Sequence, residues 1–146
     1  EAIYNSCSAG CDYNGNTTVA VTDSATGAGE KVTFYRPADY PMYVRVTLQG
    51  EDSLPDDYKT TVRNAVYDNF YGESTATIAG NPILRAVAGD TVLASRFVPS
   101  VLDAGISQVV SIRVSSDGKT YTESVHIPIT VDPSLAKEHI TVEVLP

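Results

Sequence analysis

The chain has 146 residues, of which 42% are hydrophobic and 19% charged, and its formal net charge is −8 at pH 7. This length fits one domain, or one domain with a small appendage, and the composition is that of a folded chain rather than a disordered one. The acidic excess argues against nucleic acids and anionic membranes as partners, since both require a basic surface, and no apolar run approaches the roughly 18 residues of a transmembrane helix.

The first part of the chain predicts a β-hairpin. Apolar and polar side chains alternate over residues 17–23 and again over 31–36, and a glycine-containing connection joins the two stretches. Pro37 and Pro41 follow, and we expect a boundary there because neither proline can continue a central strand. The sequence therefore predicts a hairpin segment over 1–38, which we interpret as the end of a truncated upstream domain.

The next stretch predicts a strand and a helix. Residues 42–48 alternate cleanly and indicate a strand that covers a core with one face. A Ser-Leu-Pro-Asp run beginning at Ser53 is typical of a helix start, and apolar residues at helical spacing continue to Gly72. Residues 73–88 predict a loop with a short extended piece and a break at Gly-Asn-Pro.

A second helix is expected over residues 90–104, followed directly by a strand. Four apolar residues share helical spacing in this helix, and Pro99 predicts a kink near Val98. The strand over 110–114 alternates with a period of two. We expect one core to contain Leu93, Phe97, Val101, Ile112 and Val114 together with Val44, Val46, Val62 and Phe70.

The last third of the chain predicts two strands. A turn at 116–119 precedes a long strand over 121–131, in which Pro128 favours an edge position or a bulge. A second turn is expected over 132–136, and the final strand over 139–145.

The order of elements from residue 42 onward is β-α-α-β-β-β. This order predicts an α+β domain over 39–146, in which two helices pack on a mainly antiparallel sheet, after the hairpin segment over 1–38.

The sequence predicts no catalytic, cofactor-binding or metal site. His126 and His139 lie in strand patterns without a carboxylate or cysteine at a ligand spacing, so a structural role is favoured. Asp56 and Asp57 adjoin each other at a helix start, where capping and the helix dipole explain them. The sequence also lacks a phosphate-binding glycine loop and a G-x-S-x-G motif. We therefore predict no cofactor and no enzymatic activity.

Cys7 and Cys11 form a C-x3-C pair with no second pair downstream, which argues against zinc. A disulfide closing so short a loop is geometrically possible. Two free thiols in a reducing compartment are the favoured interpretation.

Turn and core residues over nearly the whole chain follow an order and spacing that resemble a known family. Those in the first part are Ala2-Ile3, Ala9-Gly10, Gly15-Asn16-Thr17-Thr18-Val19, Asp23, Phe34, Arg36-Pro37 and Tyr43-Val44-Arg45-Val46. Those further on are a helix, Gly89, Val92 and Gly105-Ile106 leading into a strand. In this order they are similar to the C-terminal part of phage baseplate J-like proteins. The cysteine pair departs from that pattern.

The resemblance implies a structural protein of the wedge in a contractile phage tail. It implies other baseplate and tail proteins as partners and no catalytic residues, with assembly in the bacterial host cytoplasm and final location in the virion. The chain begins with Glu1 rather than Met and without a signal peptide, so we expect a processed product or a C-terminal fragment.

Two other interpretations stay open. An extracellular binding or adhesin-like module would also suit an acidic, Thr- and Tyr-rich chain, and a disulfide between the two cysteines would favour it. A small hydrolase using scattered acids has no motif to support it.

Self-association is expected on two grounds. Pro128 suggests an exposed sheet edge, and Tyr43 gives the strand over 42–48 an aromatic outer face, with Tyr35 and Tyr40 nearby in sequence. We therefore predict a weak homodimer with twofold symmetry.

Overall fold

The computed structural model describes residues 15–22 and 24–146. Contacts divide the chain into two compact units, Glu1–Pro37 and Ala38–Pro146, and this division lies one residue before the boundary suggested by the sequence. The cysteine pair and Asp23 lie outside the described residues, so the predictions on them are untested.

The first unit contains the predicted hairpin. Strand β1 (Thr17–Thr22) pairs antiparallel with β2 (Gly29–Phe34). Asn16 closes the open end of the hairpin with its side chain, because its Oδ1 accepts from the Arg36 N–H at 2.7 Å and its Nδ2 donates to the Arg36 carbonyl at 2.9 Å. The hairpin prediction is confirmed.

The second unit, all of which is described, contains seven strands and two α-helices, together with short 3-10 turns. They are β3 (Ala38–Gln49), α1 (Tyr58–Tyr71), β4 (Thr77–Ile78), β5 (Asn81–Pro82), β6 (Thr91–Leu93), α2 (Val98–Asp103), β7 (Val109–Ser115), β8 (Ser124–His126) and β9 (Val131–Leu145). The α+β class is therefore confirmed, and where one short extended piece was expected within 73–88 the structure has two short strands, β4 and β5.

The central sheet has the strand order β7-β3-β9 and is mixed. Strand β3 runs antiparallel to β7 and parallel to β9, whereas the pairs β1–β2, β4–β5 and β6–β8 are antiparallel. A mainly antiparallel sheet was expected. The difference arises because β7 and β9 run in opposite directions on either side of β3, so only one of them can be antiparallel to it.

One face of this sheet forms the core. Met42, Val44, Val46 and Leu48 alternate along β3 and are buried, as the sequence predicted. The two helices pack on that face. Eight of the nine residues assigned to a common core lie in one buried cluster: Val44, Val46, Val62, Phe70, Phe97, Val101, Ile112 and Val114. The ninth, Leu93, is 51% exposed, and its assignment was wrong.

Helix α1 begins later than predicted. Leu54 has an extended backbone, with φ −89° and ψ 146°, because the following Pro55 disfavours the helical conformation at the residue before it. Asp57 occupies the N-cap position without a side-chain capping bond, so the capping role expected of the aspartate pair was wrong. The helix ends at Gly72 as predicted. Gly72 has φ 73°, and a Cβ there would lie 2.6 Å from the Arg85 nitrogen.

The helix expected over 90–104 is three elements. Strand β6 comes first, a 3-10 turn over Ala94–Phe97 follows, and only then does α2 begin. Pro99 lies in the first turn of α2, where a missing N–H costs no hydrogen bond, so it starts the helix instead of kinking it. Phe97 and Val101 are buried as expected, whereas Leu102 is 48% exposed.

The C-terminal strands also differ from the prediction. Instead of a strand over 121–131, β8 is three residues long and pairs with β6, and Pro128 lies between strands. The expected turn over 132–136 is part of β9, which pairs with the first half of β3. Pro133 is tolerated there because β9 is an edge strand, in which the proline nitrogen can face away from β3 and no hydrogen bond is lost. Pro41 fits within β3 because β7 pairs with β3 only from Tyr43 onward.

Candidate functional site

The histidines and aspartates singled out in the sequence do not converge. His126 in β8 is exposed, and its Nδ1 lies 3.2 Å from the Thr91 hydroxyl. His139 in β9 stacks on Tyr43 with ring centroids 4.2 Å apart. Asp56 and Asp57 are exposed near the start of α1. Among residues 15–22 and 24–146, no group of three or more His, Cys, Asp or Glu side chains could hold a metal ion.

The sheet face opposite the helices, called the open face, carries paired charges and aromatic rings. The Arg45 guanidinium lies 4.0 Å from the centre of the Tyr121 ring, and its Nε is 3.4 Å from Glu143 Oε1. Arg45 Nε is a buried atom and makes no hydrogen bond to any described residue, so its contact with Glu143 is electrostatic only. These partly exposed groups neutralise one another, and an exposed ion pair of this kind adds little stability.

The outer edge of β9 is shielded by side chains from α1. The Tyr71 hydroxyl accepts from the Leu135 N–H at 3.1 Å and lies 3.4 Å from the Leu135 carbonyl oxygen. The Arg63 Nε donates to the Ile140 carbonyl at 3.1 Å. These contacts occupy backbone groups that would otherwise be free to pair with another strand.

The outer edge of β7 is open over part of its length. Val114 exchanges both backbone hydrogen bonds with Thr122, each 2.8 Å long, on the side away from β3. Outward-facing residues recur every second position along a strand, so Ile112 turns its N–H and carbonyl to the same side. No strand of the described residues pairs with β7 there. Ile112 itself is buried, Val110 is a bulge in the pairing of β7 with β3, and β8 and the turn over Ala94–Phe97 lie beside this stretch. We call the unpaired stretch from Val110 to Ile112 the open edge.

Exposed apolar side chains line two grooves next to this edge. The first groove, of about 450 Å³, runs between Leu93 and Val98 on one side and Val110 to Arg113 of β7 on the other. The second, of about 270 Å³, shares Leu93 and adds Ile78 and Leu84. We call Ile78, Leu84, Leu93 and Val110 the apolar strip; they are 44%, 76%, 51% and 49% exposed. Contiguous exposed apolar surface of this kind marks sites of protein contact.

A buried polar network holds the chain segments that carry Leu84 and Leu93 of the apolar strip. Asn69 on α1 is fully buried, and its Nδ2 donates to the Ser100 hydroxyl at 2.7 Å and to the Arg96 carbonyl at 2.8 Å. In return, Arg96 donates to Asn69 Oδ1 at 3.0 Å and to the Leu84 carbonyl at 2.6 Å. Burial lowers the pKa of Arg96, and the charge of Asp90 partly offsets this. The network therefore fixes the backbone at Leu84 relative to the turn after Leu93.

A third groove, of about 450 Å³, is acidic. Asp68, Glu73 and Asp103 line it together with hydroxyl and amide side chains. Its three carboxylates carry charge of one sign, in contrast to the first groove, where Arg113 and Glu123 form an ion pair at 3.2 Å.

The sequence indicated only part of this surface. Tyr43 lies on the open face, opposite the core, as expected, whereas Tyr40 packs partly against the core and Tyr35 is exposed in the other unit. Pro128 pointed to the wrong segment, because the open edge belongs to β7. The break in helical spacing that Pro99 causes was the signal that could have placed Leu93 outside the core.

No protein-family model matches the chain, and no curated protein matches it either. No helix among residues 15–22 and 24–146 is long and apolar enough to cross a membrane.

Proposed function

We propose that this chain is a structural component of a contractile phage-tail baseplate, as the resemblance to baseplate J-like proteins implies. It acts by contact with other tail proteins and with copies of itself, and the proposal includes no catalytic step and no cofactor. Its place is the tail baseplate of the virion, which is assembled in the bacterial host cytoplasm.

The observation that carries the proposal is the open β7 edge beside the apolar strip. Its groups are backbone amides and carbonyls, half-exposed apolar side chains and charges already paired. A partner protein that packs against the strip covers these apolar side chains, and its polar groups can bond the unpaired backbone. The edge of β9, in contrast, is already occupied by side chains of α1.

Deletion of the gene from its phage or prophage tests the proposal. We expect particles with tails that lack a complete baseplate, and we expect an epitope-tagged copy supplied in trans to restore the baseplate and to label it in electron micrographs. Neighbouring genes for tail tube, sheath and spike are expected as well.

Normal particles after the deletion would overturn this function. The adhesin-like alternative predicts a secreted protein with Cys7 and Cys11 joined, which a mass measurement with and without reductant would reveal.

A further inference from the structure

The turn after β7 contains a chemically reactive pair of residues, Asp117 and Gly118. The backbone nitrogen that follows an aspartate can attack the aspartate side chain, and a glycine leaves that nitrogen unhindered because it has no side chain of its own. No other Asp-Gly pair occurs in the sequence. We propose that Asp117 is a latent site of isomerisation to isoaspartate, and that Ser115 suppresses the reaction in the folded chain. This inference does not rest on the proposed function.

Isomerisation transfers the main chain from one carboxyl group of the aspartate to the other. The Gly118 nitrogen bonds to Cγ of Asp117, and its proton leaves with the carboxyl OH as water, which closes a succinimide ring. A second water then opens the ring. When this water adds to the former main-chain carbonyl carbon, the bond from that carbon to the Gly118 nitrogen breaks. The product is isoaspartate, which has a free α-carboxylate, one extra carbon in the backbone and an unchanged mass.

The nitrogen that would attack is held by Ser115. The Gly118 N–H donates to Ser115 Oγ at 3.0 Å, and the Asp117 N–H donates to the same oxygen at 3.2 Å. Ser115 is fully buried at the end of β7, so its hydroxyl has a fixed position. Attack requires the Gly118 nitrogen to give up its proton and to turn the face of its amide plane towards Cγ. The hydrogen bond to Ser115 must therefore break first.

The Asp117 carboxyl group is held as well. Its Oδ1 accepts from the Lys119 and Thr120 N–H groups, each at 2.8 Å, and from the Ser115 hydroxyl at 2.7 Å. Ser115 thereby uses its one donor and both acceptor positions within this turn. The bonds lower the pKa of Asp117 to about 2, and the Lys119 N–H contributes most. At neutral pH the neutral carboxyl group, whose OH can leave as water, is therefore rarer than in an ordinary aspartate.

The surroundings of the turn indicate what isomerisation would disturb. Gly118 lies against Tyr43 of β3, since a Cβ at residue 118 would be 3.1 Å from the Tyr43 ring. Val114 and Thr122 exchange both backbone hydrogen bonds, and the turn connects them. An extra backbone carbon at residue 117 changes the length of this connection and displaces the groups that bond the carboxylate. We therefore expect the isoaspartate form to be less stable than the parent chain.

The rate of isoaspartate formation at neutral pH tests the inference. Enzymatic methylation of the free α-carboxylate measures the product, and mass spectrometry of fragments assigns it to residue 117. We expect the folded parent chain to isomerise at least about tenfold more slowly than the same chain unfolded in guanidinium chloride, because the hydrogen bonds of the turn oppose the attack. A folded parent chain that isomerises as fast as the unfolded one would overturn the inference.

Matched variants test the role of Ser115. Ser115→Ala should isomerise at least about tenfold faster than the parent chain, because neither reacting group is then held by the hydroxyl. Ser115→Cys fills the same buried site with a weakly bonding thiol and should show the same increase, which guards against a folding defect in the alanine variant. Circular dichroism establishes that each variant is folded.

Ser116→Ala is the control for these variants, because Ser116 is exposed and its hydroxyl makes no hydrogen bond to residues 15–22 and 24–146. It should keep the parent rate, and equal rates for the variants at 115 and 116 would overturn the role of Ser115. Amide exchange of the parent chain is a further test that needs no variant. The Gly118 amide should exchange at least about tenfold more slowly than in the unfolded chain, and an unprotected amide would overturn the inference.

Discussion

At the scale of single residues, Asn69 shows how a buried polar group determines the shape of a surface. It is fully buried on α1, yet both its amide nitrogen and its oxygen are paired, with Arg96 and Ser100. A buried polar group is tolerated when its hydrogen bonds are satisfied, and its removal leaves the partners unpaired. The positions of Leu84 and Leu93 in the apolar strip therefore depend on a buried polar contact.

Asn69→Ala should lower the free energy of unfolding by at least about 2 kcal/mol, because Arg96 Nε and neighbouring groups are left buried without a partner. Urea unfolding measures this loss. Asn64→Ala is the matched control on the same helix, since Asn64 bonds only the exposed end of Lys137 among the described residues. Its effect should stay within about 0.5 kcal/mol, and equal losses for the two variants would contradict the role given to Asn69.

Asp117 gives a prediction about pH. Its carboxylate accepts from the Lys119 N–H, the Ser115 hydroxyl and the Thr120 N–H, in that order of effect, and these bonds lower its pKa from 3.8 to about 2. Because the pKa is lowered in the folded chain, the stabilisation is complete above the unfolded value of 3.8 and is lost as the pH falls through about 2.

Asp117→Asn should therefore flatten the dependence of stability on pH within this window. Thermal unfolding across the acid range measures the effect. An NMR titration of the parent chain should place the Asp117 midpoint near 2, and a midpoint close to the ordinary aspartate value would contradict the bonding described.

At the scale of elements, two substitutions test which side chains face the core in the segment from β6 to α2. Phe97→Ala should cost about 3–5 kcal/mol, since Phe97 is fully buried and its removal leaves a cavity in the core. Leu93→Ala should cost less than about 1 kcal/mol, because Leu93 is half exposed. Chemical denaturation of both variants measures the two losses in the free energy of unfolding. Similar losses would restore the continuous helix that the sequence suggested.

Elements with strong local signals could be predicted from the sequence. Strand β3 alternates over its whole core-facing length, and α1 ends at a glycine that adopts a positive φ. The hairpin of β1 and β2 is equally local, because a short connection joins two alternating stretches. In each case the pattern and the final environment agree, so nothing distant in the chain is needed to determine the structure.

Elements determined by distant contacts could not be predicted. The parallel pairing of β9 with β3 joins residues far apart in sequence, and its turn-like Asp-Pro-Ser start becomes strand because β3 supplies a neighbour there. The candidate site escaped prediction for the same reason. An open strand edge depends on what fails to cover it, and exposure of Leu93 depends on how Asn69 and Arg96 position the adjoining turn.

At the scale of the whole molecule, the shielding of the two edges of the central sheet determines how many copies can join through them. A domain with two open edges can add copies without limit, whereas one open edge allows a closed pair. The central sheet has three strands, and side chains of α1 shield β9 while part of β7 stays open. The hydroxyl of Tyr71 and the guanidinium of Arg63 are thus groups that limit association.

Removing these two shields should increase self-association through the outer edge of β9. Tyr71→Phe keeps the ring that packs against Tyr67 and Phe70 but removes the hydroxyl at Leu135, and Arg63→Gln removes the donor to Ile140. The double variant then presents unpaired backbone groups of β9 to a second chain. Sedimentation velocity should show species larger than those of the parent chain, in amounts that grow with concentration. A double variant that sediments like the parent chain would show that Tyr71 and Arg63 do not shield the edge.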